Sequence, residues 1–181
     1  AKNKASASVT GSLGVSNEVT NSGKIRLGDS STGIYAEDGA GVLNDVSGII
    51  NVGDSSQGIY AKNSGSIVNR GDINTGESSI GIYFNNASAA ENYGKIMSSS
   101  NNAVGVYMDN QTAGFRNDGT ITLSGQNNIG IYDTGTGSRT IENNGKITVG
   151  DSLSADSPNV GIYSTDGSLT INHNVNAEIN S

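Results

Sequence analysis

Cysteine and tryptophan are absent from the 181 residues, proline occurs once and phenylalanine twice. Without cysteine there are no disulfides, no thiolate metal sites and no cysteine nucleophile. The same absence fits a bacterial protein that crosses a membrane unfolded, where a premature disulfide would block passage. Only 33% of residues are apolar, too few for an ordinary core unless strict periodicity gathers them. No apolar stretch exceeds three or four residues, so none reads as a signal peptide or a transmembrane span. Positive charge is also scarce, with 10 Lys and Arg against 17 Asp and Glu, a net charge of −7 and no basic cluster. Nucleic acid and anionic membrane surfaces are therefore unsuited as partners.

What the chain has instead is repetition. Gly-Ile/Val-Tyr triplets start at Gly33, Gly58, Gly81, Gly105, Gly130 and Gly161, in steps of 25, 23, 24, 25 and 31 residues. A second anchor, Asn-x-Gly-x-Ile, starts at Asn21, Asn69, Asn92, Asn117 and Asn143, with a longer version at Asn44. Worn copies lie near Leu13 and at Ile171–Ile179. A period of roughly 24 residues is that of a solenoid. Within each repeat the apolar residues alternate, as strands require. Alternation puts Ile80, Ile82 and Phe84 on one face, with Val104, Val106 and Met108 in the next repeat, and Tyr83 and Tyr107 on the other. A second strand ends at each Asn, and a third carries pairs such as Ile121 and Leu123. The expected fold is all-β: a right-handed parallel β-helix of about six to seven coils, three short strands per coil. The chain 1–181 is read as one such segment of a longer protein, with worn coils at 1–20 and 168–181, because it opens without methionine and stops inside the pattern. Two stretches break the rhythm: an insertion around Pro158, and a polar, irregular stretch between Tyr83 and Asn92.

Stacking turns each repeat position into a ladder along the axis. The Asn ladder reads as scaffold, since stacked amides bond one another and the turn backbone. Six of the seven tyrosines, Tyr35, Tyr60, Tyr83, Tyr107, Tyr132 and Tyr163, form an outward column. Each ring can cover the glycine two residues before it, and the column is also the best candidate contact surface. Asp29, Asp54 and Glu77 share a turn position where a cation could bridge, although Asp is an ordinary turn residue. Arg70-Gly71-Asp72 matches the integrin-binding tripeptide, but the repeat itself supplies that glycine. Catalysis has little to work with. The sole histidine, His173, lies in the worn last coil, read as a surface turn, and no carboxylates converge in the pattern. The segment is expected to have no catalytic residue, no metal and no cofactor.

The stretches "GDSSTGIYAEDGAGVLND" and "GDSSQGIYAKNSGSIVNRGDI" resemble the GIYA-type repeats of the large outer-membrane autotransporter adhesins of fusobacteria, the RadD-like group. The likeness runs from about Gly11 to Asn180. It implies a type V secreted passenger on the cell surface or released from it, contributing to adhesion and virulence. Its partners would be host-cell or bacterial surface proteins or glycans, and its membrane link a C-terminal barrel outside this segment. Contacts would come from the Tyr column, Arg70, Asp72 and the loop at Pro158. End-to-end self-association of the isolated segment is a further expectation, because open coils present unpaired strand edges. Two other kinds of β-helix remain as alternatives: a secreted carbohydrate-active enzyme, and a vacuolating-toxin-like passenger.

Overall fold

The computed structural model describes the backbone of residues 7–10 and the whole of residues 18–110, 113–153, 157–165 and 168–180. Short strands rich in Ile and Val alternate with Gly, Asn, Asp and Ser turns, and no helix occurs among the described residues. The first sheet stacks Ala7–Thr10, Thr32–Glu37, Gln57–Lys62, Ile80–Asn85, Val104–Asp109, Ile129–Asp133 and Val160–Ser164. The second stacks Glu18–Asn21, Gly41–Asn44, Ser66–Asn69, Ala89–Asn92, Phe115–Asn117, Arg139–Asn143 and Leu169–His173. The third stacks Lys24–Arg26, Ile49–Asn51, Asp72–Asn74, Lys95–Ser98, Thr120–Leu123, Lys146–Val149 and Glu178–Asn180. Every pairing is parallel and in register, so equivalent repeat positions sit directly above one another. The chain is a parallel β-solenoid with three strands per coil.

Five coils, the second to the sixth, enclose a continuous apolar interior built from columns such as Ile34, Ile59, Ile82, Val106 and Ile131. The end coils are more open. Val19, Ile25 and Leu27 are only partly buried at one end, and Ile171 and Ile179 are 47% and 43% exposed at the other. Volume is balanced within a coil. The fourth places Phe84 in a column that holds Ala36 and Ala61 above it, and Ala90 where its neighbours have Ile67 and Phe115. The Phe84 and Phe115 rings lie 6.3 Å apart and fill the space that Ala90 leaves, as close packing requires. The stretch Tyr83–Asn92 is thus a regular coil rather than an irregular one. Its polarity belongs to the turn, where Asn86 adopts a left-handed φ of 53°.

Strict alternation fails at one position in each of the five enclosed coils, and the triplet glycine is the cause. Gly33 and Ile34 are both buried, as are Gly81 and Ile82, so two successive residues face inward. Ile80, Val104 and Ile129 consequently move to the outer wall, half-buried, in the column begun by Thr32 and Gln57. The expectation that Ile80 joins Ile82 inside, and Val104 joins Val106, is corrected here. The glycine exists for close approach: a Cβ on Gly81 would lie 2.4 Å from Ile96 Cγ2 and 2.5 Å from the Gly105 carbonyl oxygen. It leaves room for the third-strand isoleucine and for the next coil's backbone, rather than a seat for the tyrosine ring.

Candidate functional site

The outer wall of the first sheet carries the tyrosine column, in register from Tyr35 to Tyr163. Five of the rings are half-buried and Tyr163 is exposed. Tyr35 and Tyr60 stack with centroids 5.2 Å apart at 4°, and Tyr60 and Tyr83 at 4.6 Å and 11°. The run breaks at Tyr107, which meets Tyr83 edge to face at 85°, then resumes with Tyr132 at 4.8 Å and 26°. In the stacked runs the rings cover one another's faces, so the wall presents mainly ring edges and hydroxyls. Beside the tyrosines runs the outer column Ile80, Val104, Ile129 and Val160, making the later coils more apolar than the Thr32 and Gln57 end.

Two phenols donate to carboxylates in the neighbouring outward column. Tyr35 Oη bonds Glu37 Oε2 at 2.7 Å, and Tyr83 Oη bonds Asp109 Oδ2 at 2.5 Å. The Glu37 bond, with burial and charge adding to it, pushes the Tyr35 hydroxyl up to about 12. Burial first, and the Asp109 bond second, push Tyr83 up as well. Burial would raise Asp109, but the bonds from Tyr83, Asn85 and Thr134 outweigh it and hold the carboxyl below its ordinary value.

The other sequence candidates are drawn into the scaffold. Arg70, Gly71 and Asp72 form a turn whose three N–H groups donate to Asn44 and Gly48 carbonyls at 2.7 to 3.2 Å. A Cβ on Gly71 would come within 2.1 Å of the Gly48 carbonyl oxygen, so this tripeptide lies flat against the coil above. Arg70 is exposed, its guanidinium 6.0 Å from the Tyr93 ring centroid. The carboxylates in the Asp29 column cap the next coil: Asp29 accepts from Asp54 N–H at 3.0 Å, and Asp54 from Glu77 N–H at 2.7 Å. Among the described residues no group of three or more His, Asp or Glu is arranged to hold a metal. Pro158 is exposed on the inserted loop, of which residues 154–156 lie outside the described residues. Asn159 ties the loop's neck, donating to the Gly150 carbonyl at 2.6 Å and accepting from Asn128 N–H at 2.7 Å.

The Asn ladder is continuous, each Nδ2 donating to the next Oδ1 at 2.8 Å from Asn21 to Asn143. His173 is not a free turn residue: it occupies the next ladder position, its Nδ1 3.2 Å from Asn143 Nδ2.

Sequence reasoning missed three features. Ser31, Ser56 and Ser79 form a second inward ladder, with Ser56 Oγ accepting from Ser31 N–H and Ser79 Oγ from Ser56 N–H, both at 3.0 Å. The sixth coil buries an ion pair: Asp133 and Arg139 side chains are inaccessible to solvent and bonded to each other. Ser164 Oγ and Gly135 N–H also donate to Asp133, at 2.7 and 3.2 Å. Burial would raise Asp133, yet these bonds together with Arg139 hold it below the usual carboxylate range. The signal was available, since Asp133 stands in the Phe84 column and Arg139 has the parity of Ile141. The third is a shallow cleft of about 310 Å³ on the second sheet's outer wall, lined by Glu91, Arg116 and Glu142 above the small residues Ala89 and Gly114. Arg116 is engaged there by Asp118, at 3.0 and 3.1 Å from Nε.

The chain matches no protein-family model, and neither the curated proteins nor the solved structures give a match. The class that the fold defines is the parallel β-solenoid.

Proposed function

We propose that this chain is a section of a surface-displayed adhesin passenger, a stiff stalk whose tyrosine wall contacts a protein or glycan on a host cell or another bacterium. The observation that carries the reading is the in-register column of six tyrosines beside Ile80, Val104, Ile129 and Val160. The interior ladders of Ile, Asn and Ser serve stacking, whereas this wall has aromatic and apolar side chains at the surface, the chemistry of protein contact. Covered ring faces favour a protein partner over a sugar stacked on an aromatic platform. Placement outside the cell, membrane linkage through a barrel elsewhere in a longer protein, and the absence of catalysis belong to the same proposal. End-to-end association of the isolated segment belongs to the proposal too, since Ile171 and Ile179 are exposed in its last described coil, and sedimentation across a concentration series would register it.

The test is binding of the labelled chain to host cells, bacteria and immobilised glycans, beside a Tyr60→Ser/Tyr83→Ser/Tyr107→Ser variant shown to be folded by circular dichroism. Binding that the folded variant loses supports the reading. Binding that it retains moves the contact to the Pro158 loop or the Arg70 turn, and no binding leaves a spacer. The cleft between Glu91 and Glu142 favours a second reading, a carbohydrate-active solenoid. Cleavage of an acidic or neutral polysaccharide that Glu91→Gln abolishes would support it over the first.

A further inference from the structure

The tyrosine wall places Tyr83 in two relationships at once, a ring stack and a carboxylate bond. Tyr60 and Tyr83, on adjacent coils, stack with centroids 4.6 Å apart and 11° between planes. Their backbones are held in register by the sheet, so the two rings lie nearly parallel on adjacent coils. The Tyr83 hydroxyl is already bonded to the Asp109 carboxylate at 2.5 Å. A phenol loses an electron more readily when a base takes its proton in the same step, because the alternative is a phenol radical cation. Among the described residues the other well-stacked pair with a carboxylate-bonded phenol is Tyr35–Tyr60, through Glu37, at 5.2 Å.

We propose that Tyr60 and Tyr83 are a dityrosine-forming pair, joined under a haem peroxidase with hydrogen peroxide as oxidant. Each phenol gives up one electron and its hydroxyl proton, the proton of Tyr83 passing to Asp109 and that of Tyr60 to water. The two phenoxyl radicals join by one carbon–carbon bond between ring positions ortho to oxygen. The two ring hydrogens at those carbons then move to the phenoxyl oxygens and restore the phenols. Asp109 then releases its proton to water, so two electrons and two protons leave the protein and convert one hydrogen peroxide to two waters. The product is a covalent strap between the third and fourth coils. In a chain without cysteine such a strap does what a disulfide does elsewhere, tying adjacent coils so that they cannot separate.

The experiment treats the whole chain, at dilute concentration, with a haem peroxidase and peroxide. It reads dityrosine fluorescence, denaturing-gel mobility and the mass of the peptide joining Tyr60 to Tyr83, which should be lighter by two hydrogens. The expected result is fluorescence in the monomer band, with the Tyr60–Tyr83 peptide the main product. Tyr60→Phe, which keeps the ring stack, should lower monomer dityrosine several-fold. Asp109→Asn, which keeps an acceptor but removes the base, should slow its formation several-fold. The exposed Tyr93 is the internal control. Cross-links that run through Tyr93 between molecules, a monomer yield unchanged in Tyr60→Phe, or no dityrosine at all would each overturn the proposal.

Discussion

Gly81 and Ile96 are partners: the glycine of the Gly-Ile-Tyr motif sits against the isoleucine of the Asn-x-Gly-x-Ile motif in the same coil. A Cβ at Gly81 would lie 2.4 Å from Ile96 Cγ2, and the same contact recurs between Gly33 and Ile50, Gly58 and Ile73, Gly105 and Ile121, and Gly130 and Ile147. The two motifs therefore repeat together because each coil closes only when the isoleucine of one wall enters the gap in another.

Gly81→Ala should destabilise by about 1–3 kcal/mol or more, since the added methyl meets both a buried side chain and the Gly105 backbone. Gly23→Ala is the control, because nothing lies within 4 Å of its Cβ position. Urea unfolding of the two variants should separate them clearly.

Asn92→Ala removes the acceptor of Asn69 Nδ2 and the donor to Asn117 Oδ1 at once. Asn69 Nδ2 keeps its bond to the Gly71 carbonyl, so the main cost is the buried Asn117 Oδ1 that loses this donor, about 1–3 kcal/mol. Truncating Asn74, whose amide bonds Asn51 on the outer wall, should cost less because water replaces the lost bond. Chemical denaturation curves compare the two.

The Asp133–Arg139 pair makes the sixth coil sensitive to acid. The folded carboxyl is held below its ordinary value, so its contribution is complete above about pH 4 and falls away as pH drops through the folded value. Asp109 and Asp118, also lowered, act in the same direction. Asp133→Ala should cost about 3–5 kcal/mol, by leaving Arg139 buried without this carboxylate, whereas Asp133→Met with Arg139→Leu should recover most of it. Urea midpoints measured at neutral pH and in acid check both statements.

Alkali should act on the outer face of the first sheet. Tyr35 is raised to about 12 by the Glu37 bond with burial, and Tyr83 is raised by burial with the Asp109 bond. Their contribution is present below the ordinary phenol value of about 10 and is lost as pH rises through the folded values. Phenolate absorbance should show these two tyrosines ionising late in wild type, and Glu37→Gln should bring Tyr35 earlier.

Much of this architecture is legible in residues alone. The spacing of Gly58, Gly81 and Gly105 specifies the coil, and the parity of Ile67 with Asn69 specifies the amide ladder, because a period of two admits only one inward face. Parity alone places Ile80 inside for a related reason: it assumes an unbroken strand, and the glycine after Ile80 turns two residues inward together. The Asp133–Arg139 pair is harder to read, because charge reads as surface unless column and parity are followed past the polar residues. The cleft at Glu91, Arg116 and Glu142 depends on which residues stack, and on the small Ala89 and Gly114 beside them. Whether a stacked tyrosine offers its face or its edge is set by neighbouring coils, which spacing does not encode.

The central claim is that the repeats are architectural units stacked in register. It is tested most directly by deleting residues 57–79, one whole coil, so that Ser56 joins Ile80, and comparing this with deletion of residues 57–68, half a coil. Gln57 and Ile80 are register partners, so the whole-coil deletion restores every column. The account predicts a β-rich circular dichroism spectrum and cooperative unfolding for the whole-coil deletion, and collapse or aggregation for the half-coil deletion. If the whole-coil deletion unfolds as the half-coil deletion does, the claim is contradicted.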